Sequence, residues 1–264
     1  MDFLKQFHYQ VYGNSASPKL VFLHGLMGFG ANWRKIVSGM EDKFQILTFD
    51  QRGHGRSMKP DSGYAPENYA DDLIEILNEL GWDKIHLVGH SMGGRNALNF
   101  ASRFPQRVIS LVIEDISPES KFSDVERYEK LLGRVPTPFQ NKKEAKEFLL
   151  NDFGDPVLGN YFYSNLVEND QGLIDWRFSK KGIIDSVRLG RKVDRWAEWR
   201  SLKMPTLLVR GENSTDLPQD IYEKMLKENP NVEGILIKEA GHWVHFDQPE
   251  QFISDLRAFL LANF

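Results

Sequence analysis

The 264-residue chain has no cysteine. That excludes disulfide bridges, thiolate-ligated metal and a cysteine nucleophile, and it fits a reducing compartment. Nowhere do about 18 apolar residues run consecutively, so no membrane-spanning helix is expected. Residues 1–8 contain neither an unbroken apolar stretch nor a small-residue cleavage site, and the expectation is a cytoplasmic protein. Basic residues are not in excess: 33 Lys and Arg against 37 Asp and Glu give a formal charge of −4. Such a balance offers no broad positive field for nucleic acid and no polybasic patch for anionic lipid. Three motifs are also missing. No G-x-G-x-x-G follows a first strand, no GKS or GKT phosphate loop occurs, and His242 and His245 have no companion such as H-E-x-x-H. No cofactor and no metal are therefore expected.

What the chain does have is apolar mass in a regular rhythm. Hydrophobic residues make up 41% of it, with 18 Phe and 6 Trp, enough for one large α/β domain carrying an insertion. Phe7, Tyr9 and Val11 alternate as on a half-buried strand, while Leu20-Val21-Phe22-Leu23 and Gln45-Ile46-Leu47-Thr48-Phe49 are compact apolar runs. Tyr69, Leu73, Ile76, Leu77 and Leu80 recur at helical spacing. Strands separated by helices predict a mainly parallel sheet covered on both faces. After Pro118 the strand signal stops, and a charged, helix-like stretch rich in aromatics from Phe122 to Trp199 follows. We read residues 119–202 as an inserted helical cap, and residues 1–118 with 203–264 as the core. The α/β rhythm resumes at Pro205-Thr206-Leu207-Leu208-Val209 and closes on a helix with Phe252, Leu256, Phe259 and Leu260 on one face.

Chemistry centres on Gly89-His90-Ser91-Met92-Gly93, set between an apolar strand and a helix. The small residues two before and two after Ser91 allow a turn so tight that the hydroxyl projects from the sheet edge, a nucleophile elbow. A serine needs a base to remove its proton as it attacks. His242, after the last strand and before the final helix, is the candidate by position, with His245 as a polar loop residue. Tetrahedral charge needs donors: the Met92 N–H, and the Leu26 N–H in the loop Leu23-His24-Gly25-Leu26-Met27-Gly28. Two carboxylates compete to orient the histidine, Asp115 at the end of one strand and Asp216 in a later loop. The usual place for the acid, about three residues after the glycine ending the later strand, is Ser214. Asp216 also suits a cap for a helix beginning near Pro218. The Asp50-Gln51-Arg52-Gly53-His54-Gly55-Arg56-Ser57 stretch reads as a tight turn with local charge pairing.

Taken in chain order, these motifs resemble the α/β-hydrolase superfamily. Within it, His24-Gly25-Leu26-Met27-Gly28 with Asn32-Trp33, Gly89-His90-Ser91-Met92-Gly93-Gly94, Asp115-Ile116-Ser117-Pro118, Trp176-Arg177-Phe178, Arg210-Gly211-Glu212-Asn213-Ser214 and Gly241-His242-Trp243-Val244-His245 resemble YbfF-type bacterial carboxylesterases. The resemblance implies a mainly parallel sheet of the eight-stranded type, helices on both faces, and an inserted helical cap. It also implies Asp115 as the triad acid, and hydrolysis of a small-molecule ester or thioester, with His24, Trp176, Phe178 and Trp243 lining the pocket of a monomer or homodimer. Arg95 and the stretch Leu202-Lys203-Met204-Pro205 also resemble menaquinone-pathway lyases, an alternative on the same triad. A C–C hydrolase, and less readily a non-catalytic ligand-binding module, are further alternatives on this scaffold.

Overall fold

The computed structural model describes residues 3–121 and 123–263; Phe122 lies outside them. Its elements run β1 (Tyr9–Tyr12), β2 (Lys19–Leu23), α1 (Arg34–Ser38), β3 (Gln45–Phe49), α2 (Pro66–Leu80), β4 (Ile85–His90), α3 (Met92–Arg103) and β5 (Val108–Glu114). Next come α4 (Ser123–Gly133), α5 (Lys142–Glu147), α6 (Pro156–Ser164), β6 (Leu166–Glu168), β7 (Ile174–Trp176), α7 (Lys180–Gly190) and α8 (Trp196–Ser201). The chain closes with β8 (Thr206–Gly211), α9 (Gln219–Glu228), β9 (Val232–Ile237), α10 (Val244–Asp247) and α11 (Pro249–Leu261).

The main sheet has the order β1-β3-β2-β4-β5-β8-β9, parallel throughout except for the β1–β3 pair. Period-two alternation sends neighbouring side chains to opposite faces. Val21, Leu87, Leu111, Ile113 and Leu208 pack under α2, α3, α8 and α9, whereas Leu20, Phe22, Val88, Val112 and Leu207 pack under α1, α10 and α11. That two-sided burial explains why the strands read as continuous apolar runs. α2 starts with Pro66 in its first turn and stops at Gly81, whose φ of 68° is left-handed; this is the proline-start, glycine-stop asymmetry of helices.

Three features differ from the sequence expectation. The sheet holds seven strands among the described residues, not eight. Phe7 lies before β1 and not in it, just after a 3₁₀ turn (Phe3–Gln6) whose Phe3 and Leu4 N–H groups donate to the Glu79 carboxylate. β1 itself is an outer edge, so Tyr9 and Val11 stay 38% and 39% exposed and only Phe7 enters the core. Between β5 and β8 the helices are joined by an antiparallel hairpin, β6 and β7, with Leu166 facing Trp176. Three-residue strands are too short to show periodicity; the turn between them is set by Asn169 Oδ1, which accepts from the Gln171 and Leu173 N–H groups. This segment has its own apolar cluster, with Phe139, Leu149, Phe162 and Ile183 at its centre.

The topology places the site. From β2 the chain moves to β3 on one side and then crosses to β4 on the other, so strand order reverses between β2 and β4. Loops leaving the carboxyl ends of those two strands diverge and open a crevice. Both the Leu26 loop and Ser91 stand there.

The packing predicts a contrast within one helix. Leu256→Ala, which removes a side chain 1% exposed against the sheet, is expected to cost about 2–5 kcal/mol in denaturant unfolding. Leu261→Ala, at 37% exposure, is expected to change stability by about 0.5 kcal/mol or less.

Candidate active site

Ser91 stands between β4 and α3 with φ 52° and ψ −116°. A non-glycine residue keeps such a conformation only where its surroundings impose it. The glycines supply the imposition: a Cβ on Gly89 would lie 2.3 Å from the Gly93 carbonyl oxygen, and one on Gly93 would lie 2.3 Å from that of Leu23. Strand, turn and helix can therefore approach only with hydrogen at both positions. The result holds the Ser91 hydroxyl at the crevice, with the side chain 9% exposed.

His242 Nε2 is 3.0 Å from Ser91 Oγ, and its Nδ1 is 2.8 Å from Asp115 Oδ2. Asp115 is wholly buried, and its φ of 52° turns it away from the strand it ends. It also accepts the Gly211 N–H at 3.2 Å and the hydroxyl of Ser214. The place without a carboxylate in the sequence is thus filled by a hydroxyl that donates to the acid next door. Asp216 Oδ2 lies 3.8 Å from His242 Nδ1, at the outer limit of an ion pair and beyond a hydrogen bond. Nor does Asp216 cap the helix: the N-cap of α9 is Pro218, with no side-chain cap bond.

Electrostatics favour a charged ring at His242. Burial opposes the imidazolium, but the hydrogen bond to Asp115 and the charges of Asp216, Asp115 and Glu114 outweigh it, and the pKa lies above the usual histidine value. For Asp115, burial raises the pKa against the lowering bonds from His242, Ser214 and Gly211.

His245 is not a polar loop residue. It lies on α10, 3% exposed, and its Nδ1 is 2.7 and 2.9 Å from the two oxygens of Glu114, which also accepts its backbone N–H. Its ring stacks on Trp33 at 4.2 Å. His90 Nε2 donates to the His242 carbonyl at 2.9 Å, and ligand atoms of His90, Glu114 and His245 fall within 4.8 Å of one another. These bonds hold the histidine loop to β4 and β5.

Leu26 and Met92 line one small cavity together with Ser91. Met92 opens α3, where backbone N–H groups have no intrahelical acceptor. From the inserted segment, Tyr161 donates its hydroxyl to the Leu26 carbonyl at 2.8 Å, which steadies that loop. Trp243 lines a second, outer cavity of about 300 Å³ with His242, Asp216 and Tyr161.

Three residues expected in the pocket lie elsewhere. His24 is 1% exposed; its Nδ1 is engaged with the Gly25 carbonyl at 2.8 Å and its Nε2 accepts the Gln51 N–H at 3.0 Å, so neither nitrogen is free for a ligand. Burial pushes its pKa down to about 4. Trp176 and Phe178 stack on each other at 4.8 Å inside the apolar cluster of the inserted segment, and they line neither cavity. The glycine-rich turn after β3 is structural. Asp50 accepts the Gly30 and Arg56 N–H groups, at 2.7 and 2.8 Å, and a Cβ on Gly55 would lie 1.9 Å from its carboxylate. Its arginine pairs at a distance and not locally, since Arg52 grips Asp72 on α2.

The chain matches the family described as alpha/beta hydrolase fold over residues 18–249. It is similar to the sn-1-specific diacylglycerol lipase ABHD11 of Mus musculus, with 31% identity over 94% of this chain and 82% of that one. It is also similar to the 2-(acetamidomethylene)succinate hydrolase of Mesorhizobium japonicum, with 26% identity over 94% of this chain and 89% of the other. Among solved structures, a marine microorganism esterase superposes with a TM-score of 0.84 at 26% identity, covering 96% of this chain and 98% of that one.

The charges around His242 predict its titration. Followed by NMR, its imidazole is expected to titrate above the usual 6.5 for histidine. Asp216→Asn, which removes one negative neighbour but no hydrogen bond to the ring, is expected to shift the titration toward lower pH. An unchanged titration would show that Asp216 does not act on the ring.

Proposed function

Because the chain belongs to the α/β-hydrolase fold family, matched from residue 18 to residue 249, we propose that it is a serine hydrolase cleaving carboxylic esters or thioesters of small to medium acyl groups. The observation that carries this is the continuous relay from Ser91 Oγ to His242 Nε2 at 3.0 Å and from His242 Nδ1 to Asp115 at 2.8 Å.

In the first half-reaction Ser91 Oγ attacks the acyl carbon as His242 Nε2 takes its proton. Asp115, fixed by Gly211 and Ser214, keeps the ring in the tautomer that accepts at Nε2 and stabilises the imidazolium that forms. The Leu26 and Met92 N–H groups receive the negative charge on the former carbonyl oxygen. Collapse expels the alcohol or thiol, which leaves with the proton from His242. Water then attacks the acyl-enzyme through the same relay and releases the acid. Residues 119–202 form the cap over the crevice, contributing Tyr128 and Arg191 to the inner cavity and Leu131 and Tyr161 to the outer one.

The named relatives act on unlike molecules, one on a diacylglycerol and the other on a succinate derivative. Their names agree on hydrolysis and disagree on substrate, so the substrate has to be read from the cavities.

Hydrolysis of p-nitrophenyl acyl esters of graded length tests the reading. Ser91→Ala is expected to lower kcat by about 10⁴–10⁶-fold and to abolish labelling by a fluorophosphonate. Asp115→Asn is expected to cost about 10⁴-fold, and Asp216→Asn less than about tenfold. His242 must be neutral to accept the proton, so kcat/KM is expected to fall with acidity through a pKa above the usual histidine value. Absence of both labelling and turnover would refute the proposal. Labelling without ester turnover would point to the lyase or C–C cleavage chemistry instead.

A further inference from the structure

Between the loop after β2 and the outer strands β1 and β3 lies a cavity of about 270 Å³ that shares no lining residue with the cavities at Ser91 and His242. Three arginines line it: Arg34 on α1, Arg56 in the glycine-rich turn after β3, and Arg177 directly after β7. Tyr9 and Phe29 add aromatic wall. Sequence reading leaves these arginines scattered, because 22 and 121 residues separate them; the fold brings them to one place.

Elsewhere the arginines of this chain meet carboxylates, as Arg52 meets Asp72, Arg191 meets Asp124 and Arg257 meets Asp42. Here they do not. No side-chain hydrogen bond or ion pair engages Arg34, Arg56 or Arg177 among the described residues. Asp50 is the sole acidic residue in the lining, and its two oxygens are taken by the backbone N–H groups of Gly30 and Arg56, at 2.7 and 2.8 Å. Three cations around one carboxylate leave a surplus of two positive charges.

Arg34 and Arg56 are exposed and alone would be ordinary solvated charges. Arg177 is not ordinary. Its guanidinium covers the Phe29 ring at 4.3 Å, and its Nε is shut off from water without a hydrogen-bond partner. The terminal nitrogens, equally unbonded, remain accessible. Burial and then the charge of Arg56 work against the Arg177 cation while Asp50 favours it, and a guanidinium keeps its proton in proteins. Gathering like charges and withdrawing one of them from water is unfavourable unless an opposite charge joins them. The protein supplies only part of that opposite charge.

We propose that this cavity is a second binding site, separate from the serine relay, and that it takes a phosphate group. A phosphate dianion matches the surplus of two positive charges, whereas a single carboxylate leaves one unmatched. Guanidiniums also engage phosphate oxygens in bidentate contact, which gives the site geometry as well as charge. The space is close to that of small-molecule sites in general, so it admits a phosphate carried on a larger molecule beside Tyr9 and Phe29 as readily as the free ion. Bound there, the group would bridge α1, the turn after β3 and the inserted segment.

Calorimetric titration of the whole protein with inorganic phosphate, at constant ionic strength and above the second pKa of phosphate, tests the site. A Kd of about 1 mM or tighter is expected. Arg56→Gln and Arg177→Met are each expected to weaken it at least about tenfold, while Arg95→Met, in the inner cavity, leaves it unchanged. Absence of saturable binding to the wild type overturns the proposal. So does undiminished binding in Arg56→Gln, an exposed position that decides alone if Arg177→Met does not fold. Weakening by Arg95→Met and not by Arg56→Gln would put the ion in the inner cavity and overturn it too. Phenyl phosphate then separates the two sources: tighter binding than inorganic phosphate assigns the site to a phosphate on a larger molecule, equal binding to the free ion, and either upholds the chemistry. Binding is read without turnover, so the result stands apart from the role given to Ser91.

Discussion

A carboxylate shut away from water must find its donors inside the protein, and the donors of Asp115 come from segments far apart in the chain. The Gly211 N–H ends β8, the Ser214 hydroxyl follows it, and the His242 ring stands beyond β9. Removing one partner from a buried charge typically costs roughly 3–5 kcal/mol, so these three groups are held to one point. Glu114, one residue earlier and equally buried, faces the opposite side of the sheet and binds the His245 ring and backbone. Two successive carboxylates at the end of β5 thus grip two histidines three residues apart, one just before α10 and one on it. The imidazole that reaches Ser91 is positioned by two anchors, which fix both the direction of its ring and the path of its backbone.

The cost of that arrangement is visible in the backbone. Ser91 and Asp115, each directly after one of two adjacent parallel strands, both have φ of 52°. Conformations of this kind cost about 1–3 kcal/mol each, and they persist because β4 and β5 are buried along nearly their whole length. The strain turns both side chains out of the sheet plane at its carboxyl edge, toward the same imidazole. Strand burial, which reads in the sequence only as apolar runs, is what makes the polar geometry affordable.

How much of this the sequence discloses depends on how local the cause is. The elbow is legible because its requirement is steric and confined to five residues. α2 is legible because proline, helical periodicity and glycine lie in a line. The choice between Asp115 and Asp216 is not, since it turns on which loop lies nearer the imidazole, a difference of about an ångström between 2.8 and 3.8 Å. His24 sits beside the cavity in sequence terms, but the backbone of Gln51, 27 residues away, decides that its nitrogens face inward. Trp176 and Phe178 are aromatic and lie in the inserted segment, and nothing in their identity distinguishes a pocket wall from the interior of that segment. The half-buried reading of Tyr9 and Val11 fails for a related reason: alternation reports that a strand has two faces, while its place in the sheet decides whether anything covers them.

Arg95 joins these themes, because it lines the inner cavity and is held there by three backbone carbonyls. Its three carbonyl partners belong to the exit of β5 and to the last turn of α7, where helix carbonyls lack intrahelical donors. The guanidinium therefore ties the segment after β5 to the end of α7 while standing one turn from Ser91 on a rigid element. Spacing between Ser91 and Arg95 is set by α3 alone and does not depend on how the insertion packs. Tyr128 and Arg191, by contrast, reach the cavity from α4 and from the residue after α7. The relay's geometry follows from the sheet edge, whereas Tyr128, Val187 and Arg191 wall the cavity from elements outside the sheet.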